Sequence, residues 1–168
     1  MTDKTNSPDS MTIIVSLPVE AATRALGAAL AAHLEPGDFI ALTGDLGAGK
    51  TALARAIVQA RFGPGGEDED VPSPTFTLVQ TYETPDLLIT HVDLYRLDDA
   101  QDTRELGLNE ALDEGAMLME WPDKWDHLPA SRLDIVLTLA GDEAREARLT
   151  GVGRWAARLR EISPSLKP

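Results

Sequence analysis

The segment Gly44-Asp45-Leu46-Gly47-Ala48-Gly49-Lys50-Thr51 has the residue types and spacing of a loop that binds phosphate groups. It matches the pattern G-x-x-x-x-G-K-[ST], in which backbone N–H groups surround the phosphates of a nucleotide. In such a loop Lys50 reaches the β and γ oxygens, and the hydroxyl of Thr51 binds Mg²⁺. Glycine suits this loop because the backbone adopts positive φ angles and approaches the phosphates closely. We therefore predict a nucleotide-binding loop here.

The sequence on either side of the loop supports this prediction. Phe39–Thr43 is a short apolar run of the strand type, and apolar residues recur with helical spacing over Lys50–Phe62. Gly63 stands where a helix C-cap glycine belongs. A strand, a glycine loop and a helix in this order direct the positive N-terminal end of the helix at the phosphates. A glycine-rich turn between a strand and a helix is the competing interpretation, and these flanking elements argue against it.

Two acidic residues follow apolar runs that we predict to be strands. The run that ends at Asp93 has the form of a Walker B segment, whose carboxylate holds Mg²⁺ directly or through water. A turn residue or a helix cap at a strand end is the alternative for Asp93. A second run precedes Glu120-Trp121-Pro122, and a carboxylate beside an aromatic ring suits the edge of a site. For Trp121 the alternative is packing in the core. Neighbouring side chains on a strand point to opposite faces, so both can reach one site only if the strand has ended. We therefore predict that regular strand structure stops at or before Glu120.

Three further positions have a candidate role and a structural alternative. Ser73-Pro74-Thr75 follows the predicted loop and helix, in the place of a segment that senses a γ-phosphate, although a turn into a strand also explains it. Glu20 stands in the first turn of a predicted helix, where the helix dipole stabilises a negative charge. His91 has no neighbours at metal-ligand spacing, which favours a structural hydrogen bond over ligation.

The elements predicted around these residues alternate between strands and helices, which indicates an α/β fold. We predict a P-loop NTPase-type fold of three layers with a mostly parallel central sheet. A half-buried strand over 132–139, a turn and a return strand over 145–150 predict an antiparallel hairpin at an edge of this sheet. A last short helix is predicted over 154–162, and we expect Pro164 to end it.

Length and composition indicate one compact domain. The chain has 168 residues, of which 43% are hydrophobic, and this suffices for a single core. We assign residues 11–162 to the domain, with a disordered tail at 1–10 and a C-terminal tail at 163–168. Because the sequence contains no cysteine, disulfides, thiol chemistry and cysteine-based zinc sites are excluded.

The charge of the chain bears on its partners. It has 15 basic and 28 acidic residues, and its net charge of −13 is opposite in sign to that of a protein that binds phosphate backbones. This argues against direct, unaided binding of nucleic acid. No apolar run approaches the roughly 20 residues of a membrane span, and the polar N-terminus lacks the apolar core of a signal peptide. We predict a cytoplasmic protein with no membrane partner.

Four motifs together resemble those of one family. They are GDLGAGKT at 44–51, SPTF at 73–76, HVDLYR at 91–96 and EWP at 120–122. In order and spacing they are similar to those of the TsaE (formerly YjeE) family of bacterial ATPases, a component of the tRNA threonylcarbamoyladenosine pathway. The resemblance runs from about Met11 to Thr150.

This resemblance implies a function with defined partners. Proteins of this family bind ATP and Mg²⁺, hydrolyse ATP weakly alone, and act with TsaB and TsaD. TsaD transfers the threonylcarbamoyl group onto adenosine at position 37 of tRNA, and the ATPase supports multiple turnover. The resemblance therefore implies contact with tRNA only through TsaB and TsaD homologues.

The resemblance also implies roles for particular residues. Thr51 and Glu120 would ligate Mg²⁺, Asp93 would act through water or as a base, and Thr75 would sense the γ-phosphate. The implied catalytic residues are Lys50, Asp93, Glu120 and Thr75, and the implied metal residues are Thr51, Glu120 and Asp93. The implied nucleotide-binding residues are Glu20, Gly44, Gly47, Ala48, Gly49, Lys50, Thr51, Ala52, Trp121 and Arg145.

Two other classes of function compete with an ATPase. A small-molecule P-loop kinase usually carries an arginine-rich lid, whereas the segment 97–120 offers only Arg104. A regulatory nucleotide-binding module without hydrolysis would not need both Asp93 and Glu120. No arginine is fixed by the sequence at the γ-phosphate, and an arginine finger can contribute a factor of about 10³–10⁵ in rate. Weak turnover alone, raised by a partner, is therefore expected.

Overall fold

The computed structural model describes residues 10–98 and 100–166. Within these residues seven strands form one sheet. The strands are β1 Ser10–Leu17, β2 Phe39–Thr43, β3 Val79–Glu83, β4 Leu88–Asp93, β5 Ala116–Glu120, β6 Arg132–Leu139 and β7 Arg145–Val152. Their spatial order is β1-β7-β6-β2-β5-β4-β3.

The middle of the sheet is parallel and both of its edges are antiparallel. β6, β2, β5 and β4 run in the same direction, while β3 pairs antiparallel with β4, and β7 pairs antiparallel with both β6 and β1. This confirms the predicted α/β fold with a mostly parallel sheet and an antiparallel hairpin. The hairpin β6–β7 is covered by β1, so this side of the sheet ends on β1 and not on the hairpin itself.

Helices cover both faces of the sheet. They are α1 Glu20–Ala31, α2 Lys50–Phe62, α3 Leu108–Glu114 and α4 Arg154–Leu166. Side chains alternate along β2, so Ile40 and Leu42 join one buried cluster with α1, α2 and α4, and Phe39 and Ala41 join a second with α3. Burial on both faces explains why β2 is apolar throughout. In the described part of the chain no helix has the length and apolar character needed to cross a membrane.

The C-terminal helix corrects one prediction. α4 does not end before Pro164 but continues to Leu166. A proline removes one backbone donor, and here the Ser163 hydroxyl donates to the carbonyl of Arg160 at 3.2 Å, the carbonyl that an N–H at 164 would have met. Leu166 is buried against the core, which favours this last turn. Residues 163–166 are therefore helical.

The ends of the chain and one internal segment also differ from the predictions. Ser10, assigned to the N-terminal tail, begins β1 and pairs with Val152, and the rest of that tail lies outside the described residues, as do residues 167–168. Gly107 follows a 3₁₀ helix over Ala100–Leu106. The helix α3 that follows it has no counterpart in the sequence predictions.

Candidate functional site

The loop between β2 and α2 has the positive φ angles that its glycines predict. Gly47 and Gly49 have φ angles of 81° and 105°, and Gly49 directly precedes the first residue of α2. Gly44 has φ of 157°, and a Cβ there would lie 2.6 Å from the carbonyl oxygen of Leu137 in β6. A side chain at position 44 would therefore push the loop away from the sheet. The N-terminus of α2 opens onto the space enclosed by this loop.

Lys50 is folded back onto its own loop. Its Nζ donates to the carbonyls of Gly44 at 2.5 Å and Asp45 at 2.9 Å, and lies 4.4 Å from the centre of the Trp121 ring. Burial lowers the pKa of Lys50 below its usual value, and the charges of Glu120 and other nearby carboxylates partly oppose this shift. The two carbonyls thus bind the ammonium of a residue that is largely buried.

Glu120 lies at the end of β5, directly beside the phosphate-binding loop. In register it pairs with Leu42 of β2 on one side and with Asp93 of β4 on the other. The Thr51 hydroxyl donates to its two carboxylate oxygens, Oε1 at 2.8 Å and Oε2 at 3.1 Å. Nε2 of His91 lies 2.7 Å from Oε2. The carboxylate is therefore held from α2 and from β4.

Asp93 holds the loop that carries Thr75. The Thr75 hydroxyl donates to Oδ2 of Asp93 at 2.9 Å, and the backbone N–H of Tyr95 donates to Oδ1 at 2.9 Å. The Ser73 hydroxyl lies 2.7 Å from that of Thr75. Leu78 has a φ angle of 69° and closes this loop through its N–H to the Pro74 carbonyl. The structure thus brings Thr75 to the second carboxylate.

Trp121 faces the cleft because regular strand structure stops at Glu120. Trp121 has a φ angle of 59° and ψ of 53°, outside the strand region, and begins a 3₁₀ turn over Pro122–Lys124. On a continuing strand Glu120 and Trp121 would point to opposite faces. The backbone change turns both to the same cleft, as predicted. The Tyr95 ring packs against the Trp121 ring in a tilted arrangement, with ring centres 5.0 Å apart.

These residues enclose a cleft of about 350 Å³. Its walls include Lys50, Thr51, Thr75, Asp93, Glu120 and Trp121. The predicted loop residues Gly47, Gly49 and Ala52 also line it. Two other predicted loop residues do not: Ala48 is buried beneath the loop, and Gly44 lies against β6.

Glu20 and Arg145 lie outside this cleft, on the far side of the loop. Both line a second cavity of about 460 Å³, which shares Gly49 and Ala52 with the first. Glu20 pairs with Arg24 at 3.1 Å in an exposed contact. Arg145 donates to the carbonyl of Gly47 at 3.3 Å. The two cavities are therefore neighbours along one loop.

Comparison with known proteins decides the family. Residues 17–147 match the profile of the family described as "Threonylcarbamoyl adenosine biosynthesis protein TsaE". The chain belongs to the TsaE family. This confirms the resemblance that the four motifs indicated.

Relatives with the same description and a solved structure agree with this assignment. The chain is 41% identical over 143 residues to the "tRNA threonylcarbamoyladenosine biosynthesis protein TsaE" of Rickettsia bellii, covering 84% of this chain and 95% of the relative. It is 38% identical over 144 residues to the protein of that name from Bacillus subtilis, covering 84% and 87%. The crystal structure of YdiB from Bacillus subtilis superposes with a TM-score of 0.75 at 32% identity, over 94% of this chain and 98% of YdiB.

The donor set of this TsaE-family chain suits Mg²⁺. Among residues 10–98 and 100–166 there is no group of three or more histidine, aspartate or glutamate side chains that could hold a metal ion by itself. Mg²⁺ does not need one, because it is usually bound through one or two carboxylates together with substrate phosphates and water. A hydroxyl and two carboxylates at the end of a phosphate-binding loop provide hard oxygen ligands of this kind.

Sequence reasoning missed one side chain at this TsaE-family site and anticipated the role of another. Tyr95, which no prediction included, lines the cleft beside Trp121. It belongs to the motif at 91–96, so this motif contained the signal. For His91 the sequence favours a structural hydrogen bond over ligation, and the structure shows a bond to Glu120.

Proposed function

We propose that this protein binds ATP with Mg²⁺ in the cleft and hydrolyses it in support of tRNA threonylcarbamoyladenosine formation. One observation carries the proposal: Lys50, Thr51, Asp93 and Glu120 converge on one cleft at the N-terminus of α2. Hydrolysis of ATP requires positioned phosphates, a metal ion and neutralisation of charge in the transition state. The membership of the TsaE family adds the biological process.

The loop supports the binding of phosphates. Its backbone N–H groups and the positive end of α2 favour an anion. The Lys50 ammonium now bonds to two carbonyls of the loop, and phosphate oxygens would compete with these carbonyls for the same donors. A charged acceptor forms a stronger hydrogen bond than a neutral carbonyl, so the exchange is favourable.

The carboxylates support the metal. Thr51 and Glu120 would hold Mg²⁺, and Asp93 would contribute directly or through water. The ion would neutralise negative charge on the phosphates. The Thr75 hydroxyl donates a hydrogen bond to Asp93. A γ-phosphate that contacted this hydroxyl would therefore also affect the hydrogen bonding of the Asp93 carboxylate.

The second cavity supports the nucleoside part of ATP. It adjoins the cleft through Gly49 and Ala52, and it offers one carboxylate and one guanidinium, from Glu20 and Arg145. A nucleotide with its phosphates in the cleft would extend across the loop into this cavity. Trp121 would then border the phosphate end and not the base.

The charges around the cleft support a partner-dependent enzyme. No arginine among the described residues lines it, so the transition state lacks the cation that often accelerates such reactions by about 10³–10⁵. We expect weak hydrolysis by the protein alone and faster hydrolysis with TsaB and TsaD homologues. With a net charge of −13, the protein would meet tRNA only through these partners. The cytoplasm is the compartment where we expect this assembly.

The experiment that tests the proposal measures phosphate release from ATP. The protein is assayed with and without Mg²⁺, with and without the TsaB–TsaD pair of the same organism, and with a panel of metabolites. We expect release that needs Mg²⁺ and rises with the pair. A phosphorylated metabolite would instead identify a kinase. Nucleotide binding without any release, even with both partners, would leave a regulatory module.

A further inference from the structure

His91 is a buried imidazole beside the proposed metal site. Its exposed fraction is 0%, and its Nε2 lies 2.7 Å from Oε2 of Glu120. We infer that His91 is a positioning residue, which holds the Glu120 carboxylate in the orientation that Mg²⁺ requires. The inference rests on the proposed function, since it assigns a role within the same site.

The sheet places His91 where it can act on Glu120. β4 and β5 are parallel, with His91 opposite Leu118 and Asp93 opposite Glu120. Since side chains two apart on a strand share a face, His91 and Asp93 both point toward α2. His91 therefore reaches Glu120 along the diagonal between neighbouring strands. Its position on β4 is two residues before Asp93, so it lies farther from the strand ends than the two carboxylates.

The chemistry of the two partners indicates which atom donates in this bond. An ionised carboxylate only accepts, so Nε2 of His91 carries the proton of the bond to Glu120. Nδ1 is buried, and it has no hydrogen-bond partner among the residues that the structure describes. An unpaired acceptor disfavours the folded state, and an apolar side chain of similar size would fill this place without that penalty. Core packing alone therefore does not account for an imidazole here, whereas the bond to Glu120 does.

Glu120 also accepts hydrogen bonds from Thr51, and Mg²⁺ binding would affect the bonds from Thr51 and from His91 differently. The Thr51 hydroxyl bonds to Glu120 from α2, but Thr51 is also proposed to bind Mg²⁺. When its oxygen turns to the ion, its hold on Glu120 weakens. The bond from His91 comes from β4, and its nitrogen is not an atom that we propose to bind the ion. His91 would thus fix the carboxylate while metal and nucleotide are bound.

The test measures Mg²⁺ binding without turnover. A fluorescent, non-hydrolysable ATP analogue is titrated onto the full chain in EDTA, and Mg²⁺ is then added to find the concentration that gives half of the metal-dependent change. For His91→Leu we expect this concentration to rise about 10- to 100-fold, with metal-free binding of the analogue changed less than about twofold. His91→Gln, whose amide N–H can take the place of Nε2–H, should recover most of the loss.

Matched variants separate positioning from general damage. Thr90→Val alters a buried polar residue on the opposite face of β4 and should leave the Mg²⁺ requirement unchanged. If His91→Leu does not fold, His91→Asn replaces it, because an asparagine amide is one methylene too short to reach Glu120. The glutamine variant must then need a lower Mg²⁺ concentration for the half-maximal change than the asparagine variant.

Two results would overturn the inference. One is a folded His91→Leu, or Asn in its place, with the Mg²⁺ requirement of the wild type. The other is a glutamine variant no better than the variant it is meant to rescue. If the wild type itself shows no Mg²⁺-dependent binding of the analogue, the proposed function fails and the role of His91 fails with it.

Discussion

The cleft has two walls that are built in different ways. The fixed wall consists of Lys50, Asp93 and Glu120, which stand at the start of α2 and at the ends of β4 and β5, and whose exposed fractions are 5%, 3% and 2%. The loop wall consists of residues 72–78, where Phe76 is 81% exposed. One wall belongs to the core of the domain, and the other lies on its surface.

The difference indicates a division of work. Groups that must meet phosphate and metal with fixed geometry are carried by strands and a helix, whose positions the core determines. The loop wall is tied to the fixed wall mainly at Asp93, through the Thr75 hydroxyl and through the Leu78 carbonyl, which accepts the N–H of Asp93. A segment with few buried contacts can move at low free-energy cost. We therefore expect large effects on hydrolysis from the fixed wall and moderate effects from the loop wall.

The largest effect is expected for Lys50→Ala in the fixed wall. The change removes the cation at the phosphates, and hydrolysis should fall at least about 10²- to 10³-fold, as when one preorganised donor is lost. The fold should persist, because burial already disfavours this cation in the folded state. Phosphate release and circular dichroism measure the two properties. Undiminished turnover would refute the assignment of the loop.

The carboxylates of the fixed wall should come next. Asp93→Ala and Glu120→Ala should each remove Mg²⁺-dependent hydrolysis, yet permit nucleotide binding, because the backbone N–H groups of the loop remain. Turnover and metal-free nucleotide affinity are measured on the same preparations. If either variant keeps turnover within about twofold of the wild type, a barrier change of roughly 0.5 kcal/mol, the catalytic role of that residue is wrong.

Trp121 borders the cleft, and Trp155 provides a matched comparison in the core. Trp155 is 1% exposed, and Trp155→Ala should lower the free energy of unfolding by about 3–5 kcal/mol. Trp121 is only partly buried, so Trp121→Ala should cost less than about half of that value. Denaturant unfolding measures both.

The same residue should report nucleotide binding. Nucleotide should change the tryptophan fluorescence of the wild type, and this change should be absent in Trp121→Phe although Trp125 and Trp155 remain. Equal losses of stability at positions 121 and 155 would instead place Trp121 in the core.

The smallest effect is expected in the loop wall. Thr75→Val removes the hydroxyl that touches Asp93, and turnover should fall about tenfold, equivalent to about 1.4 kcal/mol of barrier. Stability should change by less than about 1 kcal/mol, because the loop contributes little to the core. Thr77→Val, two residues along on an exposed position, is the control and should keep wild-type turnover. A loss at Thr75 as large as that at Glu120 would remove the distinction between the walls.

The sequence by itself determined the parts of this protein that depend on adjacent residues. The bounds of β2 and α2 agree with the predicted strand and helix, and the glycines between them have the positive φ angles that the motif requires. The end of β5 at Glu120 and the turn of Trp121 toward the cleft were also predicted. A loop motif, a periodic pattern and a proline act within a few residues, so the sequence carries the information directly.

Only the tertiary structure decided which side chains meet. Glu120 bonds to Thr51 and His91, which are 69 and 29 residues away in sequence, and these contacts follow from the register of β4 against β5 and from the seat of α2 on the sheet. The continuation of α4 past Pro164 likewise depends on the burial of Leu166. Local preference for a break at a proline is overcome when packing against a distant surface stabilises the helix. The sequence identified most of the side chains of the site. Their contacts, however, depend on packing free energies that arise only when the sheet is assembled.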